Sequence, residues 1–206
     1  MKSPIEDTRW GSVYGSTAAV QAAFDRFGPT YHEAILASGV PAGAAKGLMP
    51  FLDSEAQGID FGCGSGVLGI ALRTEGLRRA PDGVDLSHGM LNLAEGTGCY
   101  RDLFRANLLV PEECTGWAKP YDFAVSVGLI GDYVPYYVAL PQIVSVLKPG
   151  GFVGFAVERN STPSYALGKR VEELGLRVLS ETILRVPQAE LEEQVYYFFV
   201  ARLAAT

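Results

Sequence analysis

Asp60 stands at the head of three alternating glycines, D-F-G-C-G-S-G over residues 60 to 66. Gly62, Gly64 and Gly66 remove side chains where a chain must turn tightly and a ligand must come close to the backbone. From Gly64 the same stretch also reads G-S-G-V-L-G, the spacing of a dinucleotide-binding turn. The two readings differ in charge. A pyrophosphate at the following helix N-terminus would face the Asp60 carboxylate, an unfavourable contact, whereas an ammonium and a sulfonium would be drawn to it. A simple turn-capping role is the plain alternative for Asp60. Asp85 follows about twenty residues beyond the glycines, where an acidic residue accepts hydrogen bonds from ribose hydroxyls in either kind of site.

Such a loop needs a strand before it and a helix after it. "GIDF" is the strand, and Val67 to Arg73 opens the helix. The alternation then continues through strand "GVDL" (83–86), a helix through "GMLNLAEG", a strand into "LFRANLL" and the strongly apolar strand "YDFAVSVG" (121–128). A helix "QIVSVL" is expected after Pro141, then a turn at "KPGG", a strand "FVGFAVE" and a helix "YALGKRVEELG". "LRVLSETILRV" and "QVYYFFVARL" read as a closing antiparallel pair, the second of them buried inside the sheet. Ahead of all this, "STAAVQAAFDRF" begins a helix near Ser16 and "GPT" breaks it. Thr30 with Glu33 spells a capping box for a second helix that ends at Gly39 and Pro41, and "AGAAKGLMPFL" supplies a third. The pattern predicts an α/β fold with a mostly parallel sheet and helices on both faces.

The chain has 206 residues, enough for one well-filled α/β domain. Its net charge of -6 argues against a nucleic-acid or anionic-membrane partner, both of which need a basic footprint. The three cysteines, Cys63, Cys99 and Cys114, show no C-x-x-C spacing, so neither a disulfide framework nor a zinc site is expected. "MKSPIEDTRWGSVYG" lacks an apolar core of signal-peptide length, and "VYYFFVARLAA" is too short to span a bilayer. A cytoplasmic, soluble protein is the expectation.

Together "DFGCGSG", "GVDLSHGMLNLA" (83–94), "YDFAVSVG", "LKPGGFVGFAVE" (147–158) and the closing strand pair make the chain resemble the class I S-adenosylmethionine-dependent methyltransferases. The resemblance covers roughly residues 20 to 204. Within that family it looks most similar to the Williams–Beuren-region methyltransferase-like group of small-molecule enzymes. The resemblance implies a Rossmann-like, seven-stranded, mostly parallel sheet with an antiparallel last strand. It also implies an N-terminal helical lid over residues 1–50 and a cofactor-binding core over 51–206, in one compact unit. S-adenosylmethionine would be the cofactor and S-adenosylhomocysteine the product, in a monomer or homodimer.

By the same resemblance, Asp60, Gly62, Gly64 and Gly66 would surround the amino-acid end of the cofactor. Asp85 and Leu86 would hold the ribose, and Met90 would lie against the adenine. Asn107 stands where the family usually has Asp; its amide both donates and accepts, so with Leu108 it would still recognise adenine. Tyr31 and Val127 complete the cofactor set. Relatives commonly carry Tyr-Asp where this chain has Tyr31-His32. A histidine in a helical first turn faces the positive end of the dipole and is kept neutral. Near the sulfonium it would accept a proton from the attacking group; an exposed first-turn histidine is the alternative.

The loop "GLIGDYVPYY" faces the transferred methyl in this fold, making Asp132 the second catalytic candidate. Tyr133, Tyr136, Arg159 and Asn160 are then the substrate contacts, with Tyr137 beside Tyr136. No Asn/Asp-Pro-Pro-Tyr sequence occurs, which disfavours the adenine amine or glutamine as acceptor. Asp132, Glu158 and Asn160 offer hard oxygens for Mg²⁺. The metal-dependent branch of the family, however, has Asp-Asn where this chain has Glu-Arg-Asn, so no metal is expected. The expected reaction is direct in-line transfer of methyl to O or N of a small organic acceptor. A cyclisation or elimination on the same fold, or a non-catalytic binding protein, stands as the alternative.

Overall fold

The computed structural model describes residues 16–117, 120–159, 164–186 and 194–205. Helix α1 (Thr17–Ser38) opens at Ser16, which sits in extended backbone and accepts the Ala19 N–H on its hydroxyl at 3.2 Å. Gly28 leaves helical geometry at φ 51°, ψ -144° and kinks the helix. Pro29 follows in the next first turn, where a missing N–H is harmless. Thr30 is exposed and makes no side-chain hydrogen bond among the described residues, so the break falls at Gly28 rather than at a Thr30 cap. Tyr31 and His32 nonetheless occupy the first turn after the kink. Gly39, at φ 70°, ends α1 and starts α2 (Val40–Leu48).

The rest alternates as β1 (Gly58–Phe61), α3 (Val67–Thr74), β2 (Asp82–Asp85), α4 (His88–Gly96), β3 (Leu103–Arg105) and β4 (Tyr121–Ser126). Then come α5 (Tyr136–Val144), β5 (Leu147–Glu158), α6 (Ser164–Glu173), β6 (Leu176–Val186) and β7 (Gln194–Leu203). The strands form one sheet in the order β3-β2-β1-β4-β5-β7-β6. Pairings among β1 to β5 are parallel, and β7 runs antiparallel between β5 and β6. The strand order reverses between β1 and β4, and open sheets of this kind bind ligands in the crevice beyond that reversal.

Side-chain alternation divides the core between the two faces. Ile59, Phe61, Val153 and Phe155 pack with Leu140 and Ile143 of α5. Phe123, Val125 and Ala156 pack on the other face with Ala44, Leu48, Leu68 and Leu72 of α2 and α3. Two boundaries differ from the sequence expectation. Helix α5 starts just after Pro135 and carries Pro141 inside it rather than beginning beyond it. "KPGG" is not a free turn but the irregular start of β5, where the register with β4 shifts between Tyr121 and Phe123. Among the described residues no helix is long and apolar enough to cross a membrane.

One contact under the site is tight. Gly58 pairs with Phe123, and a Cβ on Gly58 would come within 2.0 Å of Phe123 Cζ. The ring lies where that side chain would stand. Gly58→Ala should therefore lower the unfolding free energy by about 1–3 kcal/mol through overpacking, read as a reduced urea midpoint. An unchanged midpoint would mean that the ring swings aside freely.

Candidate functional site: a two-lobed cleft at the strand reversal

The β1–α3 loop is shaped by backbone conformation. Gly62, Gly64 and Gly66 all have positive φ, of 77°, 52° and 86°. Gly62 and Cys63 donate their N–H groups to the Val84 carbonyl at 2.8 and 3.0 Å, which ties the loop to the end of β2. The Asp85 carboxylate then pins it from the side: one oxygen accepts the Gly64 N–H and the other the Ser87 N–H, both at 2.9 Å. Burial pushes the Asp85 carboxyl above its ordinary value, and these backbone donors oppose the shift.

Two connected lobes open on this loop. The first is lined by Thr17, Val20, Gln21 and Phe24 of α1, by Asp85, Leu86 and Ser87 after β2, and by Asn107, Leu108 and Leu109 after β3. The second, at about 380 Å³ against about 100 Å³, is lined by Ala34, Ile35 and Ser38 of α1, by Asp60, Cys63 and Ser65, and by Asp132, Gln194 and Tyr196. Tyr31, Gly62, Gly64, Val127, Gly128 and Tyr133 border both and form the neck. A Cβ on Gly64 would project toward Tyr31 Cε1, 4.0 Å away, so the missing side chain keeps the neck open. Gly28 divides α1 between the lobes: Thr17, Val20, Gln21 and Phe24 before the kink border the first, Ala34, Ile35 and Ser38 after it border the second, and Tyr31 borders both.

Asp60 is buried on the second lobe and accepts the Tyr100 hydroxyl at 2.7 Å. Its carboxyl is pushed up to about 7, chiefly by burial; the Tyr100 hydrogen bond opposes the shift and the Asp85 charge adds to it. Tyr100 in turn accepts the Gly69 N–H at 3.1 Å. It reaches Asp60 because Gly69 and Gly83 leave room: a Cβ on either would stand 2.6 or 2.9 Å from the Tyr100 ring. Burial, and then the Asp85 and Asp132 charges, push the Tyr31 hydroxyl up, so it remains a neutral phenol in the neck.

Helix α1 is fastened to the core through several side chains. Asp25 of α1 accepts the Ser87 hydroxyl at 2.5 Å and the Gly89 N–H at 3.0 Å, at the N-terminus of α4. The Ser87 hydrogen bond, followed by that of Gly89, holds the Asp25 carboxyl below its ordinary value. Phe24 meets Tyr31 and Tyr133 edge to face, with ring centroids 5.3 and 5.2 Å apart.

Of the residues singled out from the sequence, Tyr31, Asp60, Gly62, Gly64, Asp85, Leu86, Asn107, Leu108, Val127, Asp132 and Tyr133 come together around the cleft. Five do not line it. His32 Nδ1 is 3.2 Å from the Ser65 carbonyl oxygen and, protonated there, donates to it; the ring ties α1 to the glycine loop. Met90 is a fully buried core side chain in α4. Gly66 lets α3 approach α4, since its Cβ would stand 2.9 Å from Ala94 Cα. Tyr136, the first residue of α5, packs on the core, and Arg159 is exposed after β5. Asn160 lies outside the described residues. Phe24, Asp25, Ser87 and Tyr100 were missed. Ser87 had a local signal, an N-cap serine two residues after Asp85, and its hydroxyl does accept the Met90 N–H at 3.1 Å. Asn107 already uses its side-chain oxygen to accept the Leu109 N–H at 3.0 Å, which leaves its NH₂ and one lone pair to serve a ligand.

The residues present fit S-adenosylmethionine: a carboxylate for a ribose in one lobe, a carboxylate for an ammonium in the other, and a glycine neck between them. The comparisons with known proteins agree. Residues 36–198 match the family described as Methyltransferase domain. No curated protein matches the chain. Among solved structures, it is similar to a Haloferax volcanii methyltransferase in complex with the Trm112 activator (16% identity, 91% of this chain and 98% of that one, TM-score 0.70). It is also similar to magnesium protoporphyrin IX methyltransferase from Synechocystis PCC 6803 with bound S-adenosylmethionine (15%, 95% and 90%, 0.60). A third is the [4+2]-cyclase SpnF (14%, 82% and 81%, 0.63). Sheet order, glycine loop and family match thus converge, and the chain belongs to the methyltransferase-domain family as a class I S-adenosylmethionine-dependent methyltransferase.

Proposed function

We propose that this protein methylates a nitrogen or oxygen of a small organic molecule in the cytoplasm. The observation that carries the reading is the neck: the lobe suited to adenosine and the lobe suited to an acceptor meet between Tyr31 and Tyr133, above Gly62 and Gly64. Both lobes lie beneath α1, in a cleft scaled for a small molecule.

S-adenosylmethionine supplies an activated methyl group on a sulfonium, a good leaving group. The chain's own work is then alignment, exclusion of water and removal of a proton. Asp85 accepts from the ribose hydroxyls, with Leu86 and Leu108 flanking the base and Asn107 at its polar edge. Asp60 receives the ammonium. Tyr31 and Tyr133 set the line of approach through the neck, and Phe24 seals the seam above them. Asp132 faces the acceptor and takes its proton. His32 acts through the lid, holding the segment after Gly28 against the glycine loop, and is a positioning residue rather than the base.

The test is product analysis. Incubation with S-adenosylmethionine and a panel of small amines, phenols and alcohols should release S-adenosylhomocysteine in a one-to-one ratio with methylated acceptor. Calorimetry should show that S-adenosylmethionine and S-adenosylhomocysteine bind and NAD does not. The similarity to SpnF keeps a second reading in view, a cyclisation without methyl transfer. An acceptor converted with the cofactor recovered intact would establish that reading instead.

A further inference from the structure

The second lobe has an apolar wall away from the glycine loop. Antiparallel pairing sets Tyr196 beside Glu158 and Val186 beside Gln194, so the joined ends of β6 and β7 stand at the carboxyl edge of the parallel strands. Helix α2 packs on β6 so closely that a Cβ on Gly43 would come within 2.6 Å of Leu184 Cδ2. The start of α2 is thereby brought to the end of β6. Ile35, Val40, Pro41, Leu68 and Val186 all line the lobe. Val40, Pro41 and Leu68 are buried, and Ile35 and Val186 are half-buried. Their side chains offer a ligand only hydrocarbon.

The polar side chains beside that wall are already engaged. The Ser38 hydroxyl donates to the Ile35 carbonyl at 2.6 Å and accepts the Val40 N–H at 3.2 Å, both within the corner that joins α1 to α2. The Gln194 side-chain amide donates to the Tyr196 hydroxyl at 2.9 Å. Toward the glycine loop the lining differs. The Asp60 carboxylate is there, and the buried Ser65 hydroxyl has no hydrogen-bond partner among the described residues. On the reading above, that side receives the cofactor's amino-acid end. A charged body laid against the apolar wall would lose its water and gain no partner. A hydrocarbon body would gain with every carbon it buries.

Resting on the methyltransferase reading, we propose that the acceptor presents its reacting oxygen or nitrogen at the neck on an uncharged, apolar body, a ring or short alkyl chain seated against Ile35, Val40, Pro41 and Val186. The reacting atom's lone pair forms the bond to the methyl carbon as the C–S bond breaks, and the electrons of that bond stay on sulfur. The acceptor gives up one proton, which passes finally to water.

The experiment holds the reacting group constant and grades the body. Binding of phenol, 4-methylphenol, 4-ethylphenol and 4-propylphenol to the protein–S-adenosylhomocysteine complex is measured by calorimetry, with the matching anilines in parallel. Tyramine and 4-hydroxyphenylacetate serve as charged counterparts of 4-ethylphenol. S-adenosylhomocysteine release is followed with the same compounds. We expect affinity to rise about fourfold for each added carbon in at least one series, and kcat/KM to follow the same order. Tyramine and 4-hydroxyphenylacetate should bind about tenfold or more weakly than 4-ethylphenol. In Ile35→Asn the gain per carbon should fall below about twofold. Misfolding would weaken every member alike, so the slope reports the wall itself. A flat series, charged bodies that bind as tightly as 4-ethylphenol, or no binding of any member would overturn the proposal. So would an unchanged slope in Ile35→Asn. The panel on the parent protein decides the question even if the variant does not fold. Failure of S-adenosylmethionine and S-adenosylhomocysteine to bind is read separately, and would sink the methyltransferase reading rather than the shape of the acceptor.

Discussion

Asp85→Ala should abolish measurable binding of S-adenosylmethionine and S-adenosylhomocysteine, a loss on the order of a hundred- to a thousandfold. Two contributions add. A carboxylate that accepts from two ribose hydroxyls contributes about 1.5–3 kcal/mol per charged hydrogen bond. The same carboxylate also holds the loop, because its two oxygens accept the Gly64 and Ser87 N–H groups. Alanine leaves both donors without their partner and frees the turn that borders the neck. Asp85→Asn separates the two contributions. Its one carbonyl oxygen can keep a single backbone donor, so the loss should be intermediate, with the fold intact by circular dichroism. Calorimetric titration of both variants checks this. Retained affinity in the alanine variant would place the ribose elsewhere in the cleft.

Cofactor affinity should also depend on pH through Asp60. The carboxyl is pushed up to about 7 in the free protein, so below that pH the group proposed to meet the ammonium is neutral. Affinity should fall roughly tenfold or more from pH 7.5 to 5.5 as Asp60 takes up its proton. The sign for stability is opposite. A carboxyl whose value is raised on folding favours the folded state at low pH, and that contribution is lost as pH rises through about 7. A bound ammonium restores it, so the cofactor should raise Tm more at pH 8 than at pH 6. Tyr100 donates to the ionised Asp60, while Asp85 opposes ionisation and the Cys63 thiol beside them is pushed up by burial, so it adds no charge. Tyr100→Phe should thus move the affinity profile to higher pH, with a several-fold loss at pH 7.5 that shrinks toward pH 9. A loss of equal size at every pH would assign Tyr100 a packing role only.

What was legible in the chain followed local rules. Glycines at 62 and 64 announce a close-approach turn, and Asp85 sits at a strand end fixed by the alternation of apolar residues. The closing strands match their expected spans, because both runs are rich in β-branched and aromatic residues and carry no helical repeat. The reversal of strand order places those pieces together, and no single stretch encodes it. Tyr100 meets Asp60 across 40 residues and Asp25 meets Ser87 across 62, so neither pair has a local signature. His32 falls on the expected turn of α1, the first after the kink, but the direction of a side chain on a helix depends on what the helix docks against. The kink at Gly28, not a cap at Thr30, sets that docking. Met90 is another case: its spacing in α4 is compatible with either a ligand or a core contact, and the inward face of that helix is core.

The same kink has a consequence for how such a protein diversifies. Thr17, Val20, Gln21 and Phe24 border only the first lobe, and Ala34, Ile35 and Ser38 border only the second. Because Gly28 interrupts the helix, substitutions on one side of it need not rotate the other. The anchor of Asp25 on Ser87 belongs to the first segment alone. On the proposed reading, positions 34, 35 and 38 can therefore be rewritten for a new acceptor while the first lobe's hold on the adenosine end of the cofactor is inherited unchanged.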